Sequence, residues 1–157
     1  MKVLWRRVLG AFCLPLAICA NSQELHGAIA IGELKQQHLL TKYHAFSQGY
    51  QSFQLSKSQR VAVSRWPDNL HIDIYFATWC HDSKREVPKF LKILAENSRL
   101  SHRLIALDRN KSEPSGAAKH QQVQFTPTFI VYRENKEIGR IIERPTDSLI
   151  TDISKML

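Results

Sequence analysis

The sequence predicts an α/β domain: a central mixed four-stranded sheet flanked by helices, with an N-terminal helical extension in front of it. Three observations carry that expectation. An apolar run at residues 70–76, rich in Ile and aromatics, leads through a short turn into a long amphipathic segment, which reads as strand, turn and helix. From residue 69 onward the segments alternate in the order β-α-β-α-β-β-α. Between the last two strands stands Arg133-Glu134-Asn135-Lys136, a hairpin signal.

Taken in order, residues 1–20 read as a targeting segment. A short basic start with Lys2, Arg6 and Arg7 precedes an apolar stretch at 8–20, interrupted by Gly10 and Pro15. That stretch falls short of the about 20 residues a membrane-spanning helix needs, which favours a secretory signal peptide. A second reading stays open. Leu16-Ala17-Ile18-Cys19 resembles a bacterial lipoprotein box, with lipid on Cys19. In both readings the chain is exported to the periplasm or another extracytoplasmic space, and it sits at a membrane only if Cys19 is lipidated.

Residues 21–68 form the helical extension. Leu39, Tyr43, Phe46, Tyr50 and Phe53 recur at spacings of four and three and draw one apolar stripe, with Gly49 inside it as a weak point. Such a stripe is core packing rather than ligand chemistry. Residues 57–66 read as a second short helix, stopped by Trp66-Pro67-Asp68-Asn69, the clearest boundary in the chain. In the domain proper, residues 69–157, strands are expected at 70–76, 104–107, 128–132 and 137–142. Helices are expected at 83–97, with Val87, Phe90, Leu91 and Leu94 on one face, and at 113–122 behind Ser112 as cap. A last helix is expected behind Thr146 as cap, with Leu149, Ile150, Ile153 and Leu157 facing inward. The first two strands should pair in parallel through a right-handed crossover, and the hairpin should extend the sheet antiparallel.

A length of 157 residues with 43% hydrophobic content supports one ordinary core without disulfide staples. The formal charge of +8 falls to +5 once the three basic residues of the leader are set aside. With no Lys/Arg block and no matching motif, this mild basic balance points away from nucleic acid. No metal and no cofactor are expected. Cys80, His81 and Asp82 are adjacent, and adjacent side chains rarely converge on one tetrahedral ion. A Cys–His protease arrangement lacks an oxyanion site. Of the three cysteines, Cys13 and Cys19 lie in the leader, which leaves Cys80 as the single thiol and no intramolecular disulfide.

That thiol stands in Phe76-Ala77-Thr78-Trp79-Cys80-His81-Asp82-Ser83-Lys84, where a strand turns into a helix. Unpaired N–H groups and the helix dipole favour thiolate over thiol at such a place. Trp79 before the cysteine, Pro88 eight residues after it, and the downstream Phe125-Thr126-Pro127-Thr128-Phe129 together resemble the thioredoxin superfamily over residues 69–157. The run Lys84-Arg85-Glu86-Val87-Pro88 is similar to that of the exported thioredoxin-like reductases serving cytochrome maturation. The resemblance implies the thioredoxin fold and thiol–disulfide exchange at Cys80. It also implies a cis-proline, Pro127, that presents the backbone of Thr126 to an extended substrate.

Two departures from the family pattern matter. The family's second cysteine is Ser83 here, so a mixed disulfide must be released by an outside thiol; the Ser83 hydroxyl is expected to donate a hydrogen bond to the thiolate. The family's buried aspartate, six residues before the first cysteine, is Ile74. Asp73 beside it should face the other side of the sheet. Glu86, three residues beyond Ser83, is the expected substitute. The expected catalytic set is therefore Cys80, Ser83 and Glu86, and the expected substrate contacts are Trp79, His81, Thr126 and Pro127. Partners would be cysteine-containing exported proteins or small thiols, met by a monomer. The alternative is a redox-silent binding module that keeps the fold and its peptide groove without turnover.

Overall fold

A computed structural model describes residues 28–157. The leader at 1–20, with Cys13 and Cys19, lies outside the described residues. Strand β2 (Leu70–Phe76) is the axis of the sheet. It pairs in parallel with β3 (Ser101–Ala106) and antiparallel with β4 (Thr128–Arg133). Strand β5 (Lys136–Ile142) extends the sheet antiparallel beyond β4. Their hairpin turns at Glu134 and Asn135, whose φ angles of 53° and 63° form the left-handed pair that suits the twist of the flanking strands.

The sheet has five strands where the sequence predicts four. Strand β1 (Gly32–Leu34) pairs antiparallel with β3, giving the order β1-β3-β2-β4-β5. Three residues carry too little alternation to be read as a strand, and the sequence reading makes them helical. The strand exists because β3 offers an open edge whose N–H and C=O groups need partners.

Helices α1 (Gln36–Lys42), α2 (His44–Ser52) and α3 (Lys57–Ser64) follow. The apolar stripe breaks at Tyr43, where the backbone turns extended (φ −120°, ψ 96°), and Gly49 lies inside α2. Helix α3 opens on a reciprocal capping box between Ser56 and Gln59. Helix α4 (His81–Leu94) starts directly after the Trp79-Cys80 turn and carries Pro88 inside it. Helix α5 (Ala117–His120) is shorter than the sequence predicts. The Glu113 carboxylate accepts from the amides of Ser115 and Ala118 and holds a non-helical turn there, and Gly116, at φ 73°, delays the helix. Helix α6 (Leu149–Met156) is capped by Ser148 rather than Thr146: the Ser148 Oγ accepts from Thr151 N–H at 3.1 Å, while Thr146, ahead of the helix, donates its N–H to the buried Asp152 carboxylate.

The two faces of the sheet differ. Helices α1 to α4 and α6 cover one face, where Ile72, Ile74 and Phe76 of β2 meet Leu39, Phe46, Phe90 and Ile153. Phe90 packs edge-on against Phe129 with ring centroids 4.8 Å apart. Each such buried side chain contributes about 1.5–3 kcal/mol. The other face holds a smaller cluster of Tyr75, Ile105, Leu107, Ala118, Val123 and Ile130. Next to it Asp73 is buried, gripped by Arg103 at 2.8 and 2.6 Å and by His71 Nε2 at 2.8 Å. Strand alternation thus sends Asp73 away from the face on which Ile74 lies. Among the described residues no helix is long and apolar enough to cross a membrane.

Candidate active site at a single thiol

Parallel pairing brings the C-terminal ends of β2 and β3 to one end of the sheet, and the antiparallel β4 starts at that same end. Three loops meet there: the Trp79-Cys80 turn, residues 107–112, and the segment before β4. Cys80 is the N-cap of α4 (φ −78°, ψ 132°), and its carbonyl accepts the first helical bond from Lys84 N–H at 3.1 Å. Its side chain makes no cap hydrogen bond. The partly exposed thiol instead donates to the Thr126 carbonyl at 3.0 Å. The Thr126–Pro127 peptide is cis.

The surrounding backbone is pinned. Cys80 N–H reaches Ala77 O at 3.1 Å, Thr128 Oγ1 donates to Phe125 O at 2.8 Å, and Glu143 N–H donates to Pro127 O at 2.7 Å. Thr78 is buried and its hydroxyl accepts from Ala30 N–H at 3.2 Å, which ties the segment before β1 to the turn. Ser83 is fully buried, and its Oγ accepts from Ala77 N–H at 3.1 Å. The bond from Ser83 to the Cys80 sulfur is not among those the described residues form. The hydroxyl braces the turn from beneath.

The remaining expected residues spread outward. His81 is exposed on the first turn of α4. Asp82 is bound by Arg85 at 2.7 Å, with Arg144 at 4.0 Å. Glu86 is buried, and its Oε1 accepts from Arg85 Nε and Lys89 Nζ. It lines a cavity of about 340 Å³ that it shares with Phe53, Ile93, Arg144 and Leu149. The Glu86 hydrogen bond, aided by Asp82 and opposed by burial, holds the Arg85 guanidinium still more firmly protonated than usual. The structure therefore gathers Cys80, Trp79, Thr126 and Pro127 at one spot, sets Ser83 below them, and turns Glu86 toward a separate cavity.

Two residues escaped the sequence reading. Arg109 Cζ and Lys111 Nζ each stand 5.4 Å from the centroid of the Trp79 ring, within cation–π range. Trp79 Nε1 is buried without a hydrogen-bond partner among the described residues. The basic pair around Asn110 lies just past the strand expected at 104–107 and belongs to no motif of its own. What places it over Trp79 is the parallel β2–β3 register.

A half-exposed thiol at a helix N-terminus, facing the carbonyl before a cis-proline on this sheet, defines a thioredoxin-fold protein with one cysteine at its site. A family model described as Thioredoxin matches residues 33–151, and the chain belongs to that family. The matched span takes in β1 and α1 to α3 as well as the segments after residue 69. Over 75 residues the chain is 31% identical to a thioredoxin of Echinococcus granulosus, a match covering 48% of this chain and 66% of that protein. Among solved structures it is similar to a Pseudomonas aeruginosa protein of unknown function, with a TM-score of 0.63, 16% identity, and coverage of 80% of this chain and 92% of the other. An HIV epitope scaffold follows at a TM-score of 0.58 and 16% identity, covering 80% of this chain and 83% of that one. At these identities the two structures speak to the fold alone.

Proposed function

We propose that this protein carries out thiol–disulfide exchange through the single nucleophile Cys80 and works by mixed disulfides with exported, cysteine-containing substrates. The observation that carries the reading is the placement of the Cys80 sulfur. It is partly exposed at the start of α4 and 3.0 Å from the Thr126 carbonyl. The general redox chemistry of the thioredoxin family supports it.

In the exchange, the Cys80 thiolate attacks one sulfur of a substrate disulfide. A Cys80–substrate S–S bond forms, the substrate S–S bond breaks, and its other sulfur leaves as a thiolate that takes up a proton. The number of disulfides is unchanged: the Cys80 sulfur is oxidised to the disulfide level and the leaving substrate sulfur is reduced to a thiol. Ser83 offers no second sulfur, so an outside thiol must attack the mixed disulfide: a small thiol, a partner protein, or another cysteine of the substrate, which amounts to isomerisation. In this reading Trp79, His81, Thr126 and Pro127 line the approach of an extended substrate, and Ser83 holds the turn through Ala77. Glu86 is the buried carboxylate of α4, acting on the turn by way of Arg85 and Asp82 and positioning it rather than touching substrate. Residues 1–20 act as the export signal.

The test is capture. The wild-type protein, mixed with an extracytoplasmic extract, should give covalent complexes on non-reducing gels that vanish with reductant and with Cys80→Ser. Complexes equally abundant in Cys80→Ser, or absent in the wild type with both protein and small-thiol disulfides, would sink the reading and leave the redox-silent binding module.

A further inference from the structure

We propose that the Cys80 site selects acidic polypeptide segments, with a substrate carboxylate seated at Arg109 and Lys111 over the Trp79 ring. The proposal rests on the thiol-exchange reading for its chemistry, but the binding it describes stands without turnover.

Two cations share one aromatic ring immediately before the nucleophilic cysteine, each 5.4 Å from its centroid. Among the described residues neither is in an ion pair, whereas Arg85, Arg99, Arg103, Arg140 and Lys155 all are. The loop's own acid is committed elsewhere. Asp108 Oδ1 accepts from the amides of Asn110 and Ser112, both at 2.8 Å, and is in no ion pair with Arg109 or Lys111 among the described residues. Glu113, the next acid along, is buried and engaged by Ser115 and Ala118. The loop is built, not loose: Lys111 N–H donates to Asp108 O and Asp108 N–H to Ser112 O, with Lys111 at φ 61°. The backbone beneath the two cations is therefore fixed, and neither cation is in an ion pair among the described residues.

Trp79 adds an independent observation. Its indole N–H is buried without an acceptor among the described residues, so its resonance reports a charge brought to the cations over that ring. An acidic side chain is the group that meets two cations of this kind. A polypeptide is favoured over a small anionic thiol because the exposed Phe125 stands beside Thr126 and offers apolar surface to a longer chain. Opposite charge across such a rim raises association rate more than final affinity.

The test uses two peptides of identical sequence around one cysteine, flanked by Glu in one and by Gln in the other. Each is presented as a mixed disulfide with 2-thiopyridine. The Cys80 thiolate attacks the peptide sulfur, the bond to the thiopyridyl sulfur breaks, and the electron pair leaves on 2-thiopyridone, whose release is followed optically. At low salt the Glu peptide should react about 10-fold faster, and the advantage should shrink as salt screens the charges. Arg109→Gln with Lys111→Gln should bring the ratio of the two rates toward one. Lys136→Gln, at the far hairpin, should not. A second arm replaces the peptide cysteine by Ser and follows the Trp79 indole N–H resonance, which should shift with the Glu peptide only.

Equal rates for both peptides, with both reacting at Cys80, overturn the acidic preference and leave thiol exchange standing. No reaction with either peptide, but an indole shift with the Glu peptide, overturns thiol exchange and leaves the acidic site. No reaction and no shift overturn both. A thiopyridyl disulfide of glutathione reacting as fast as the Glu peptide would make the occupant a small anionic thiol and overturn the polypeptide assignment.

Discussion

Ser83 is the residue on which the site turns, and its burial changes what it does. The hydroxyl satisfies Ala77 N–H inside the turn, so Ser83→Ala should cost about 1–3 kcal/mol of stability by leaving a buried donor unpaired. Urea unfolding reads this, and a change within error would remove the bracing role. A second residue-scale prediction concerns Glu113. Burial, the largest single effect, pushes its carboxyl upward, but hydrogen bonds from the Ser115 hydroxyl and from the amides of Ala118, Ser115 and Ala117 outweigh it and hold the group below its usual range. The folded state thus releases the proton more readily than the unfolded chain, so the stabilisation is full above the unfolded value and is lost as pH falls through the folded one. Glu113→Gln should destabilise by about 1–3 kcal/mol at neutral pH, and the gap should narrow as pH falls below the ordinary glutamate value and close once it passes the lower folded one. A gap independent of pH would contradict the assignment. At this scale Cys80, Trp79 and the Thr126–Pro127 pair were legible in the sequence, because each belongs to a local motif. The partners of Ser83 and Glu86 were not, since a helix position alone does not say which neighbour a hydroxyl or carboxylate meets.

Elements fall along the same line. The strands from β2 to β5 and the helices α4 and α6 were readable because their apolar periods are long. Strand β1 and the truncated α5 were not, because one is made by a neighbour's open edge and the other is stopped by a carboxylate that takes the helical amides. Two glycines show how elements depend on what they touch. A Cβ on Gly49 of α2 would lie 2.8 Å from Pro88 Cγ of α4, and a proline ring has no rotamer to yield. Gly49→Ala should therefore destabilise by about 1–3 kcal/mol, overriding the helix propensity it gains. A Cβ on Gly139 of β5 meets the Met156 side chain at 2.7 Å. Methionine is flexible, so Gly139→Ala should cost clearly less. Parallel thermal melts decide; the reverse order would show that α2 and α4 separate at little cost.

On the scale of the whole molecule, the asymmetry of the sheet governs stability. One face is closed by five helices, while the other relies in part on the charge cluster around Asp73. Arg103→Met would strip that buried carboxylate of its two-point partner. It should cost about 1–3 kcal/mol, reduced by the water that reaches the guanidinium, and an unfolding midpoint unchanged from wild type would show the pair to be neutral. The Gly49–Pro88 contact belongs to this scale too, since it seats the N-terminal helices on the helix that carries the thiol. Its consequence is genealogical. Among chains descended from a common ancestor with this one, position 49 is free to enlarge only where position 88 has given up its proline, and the two should drift as a linked pair.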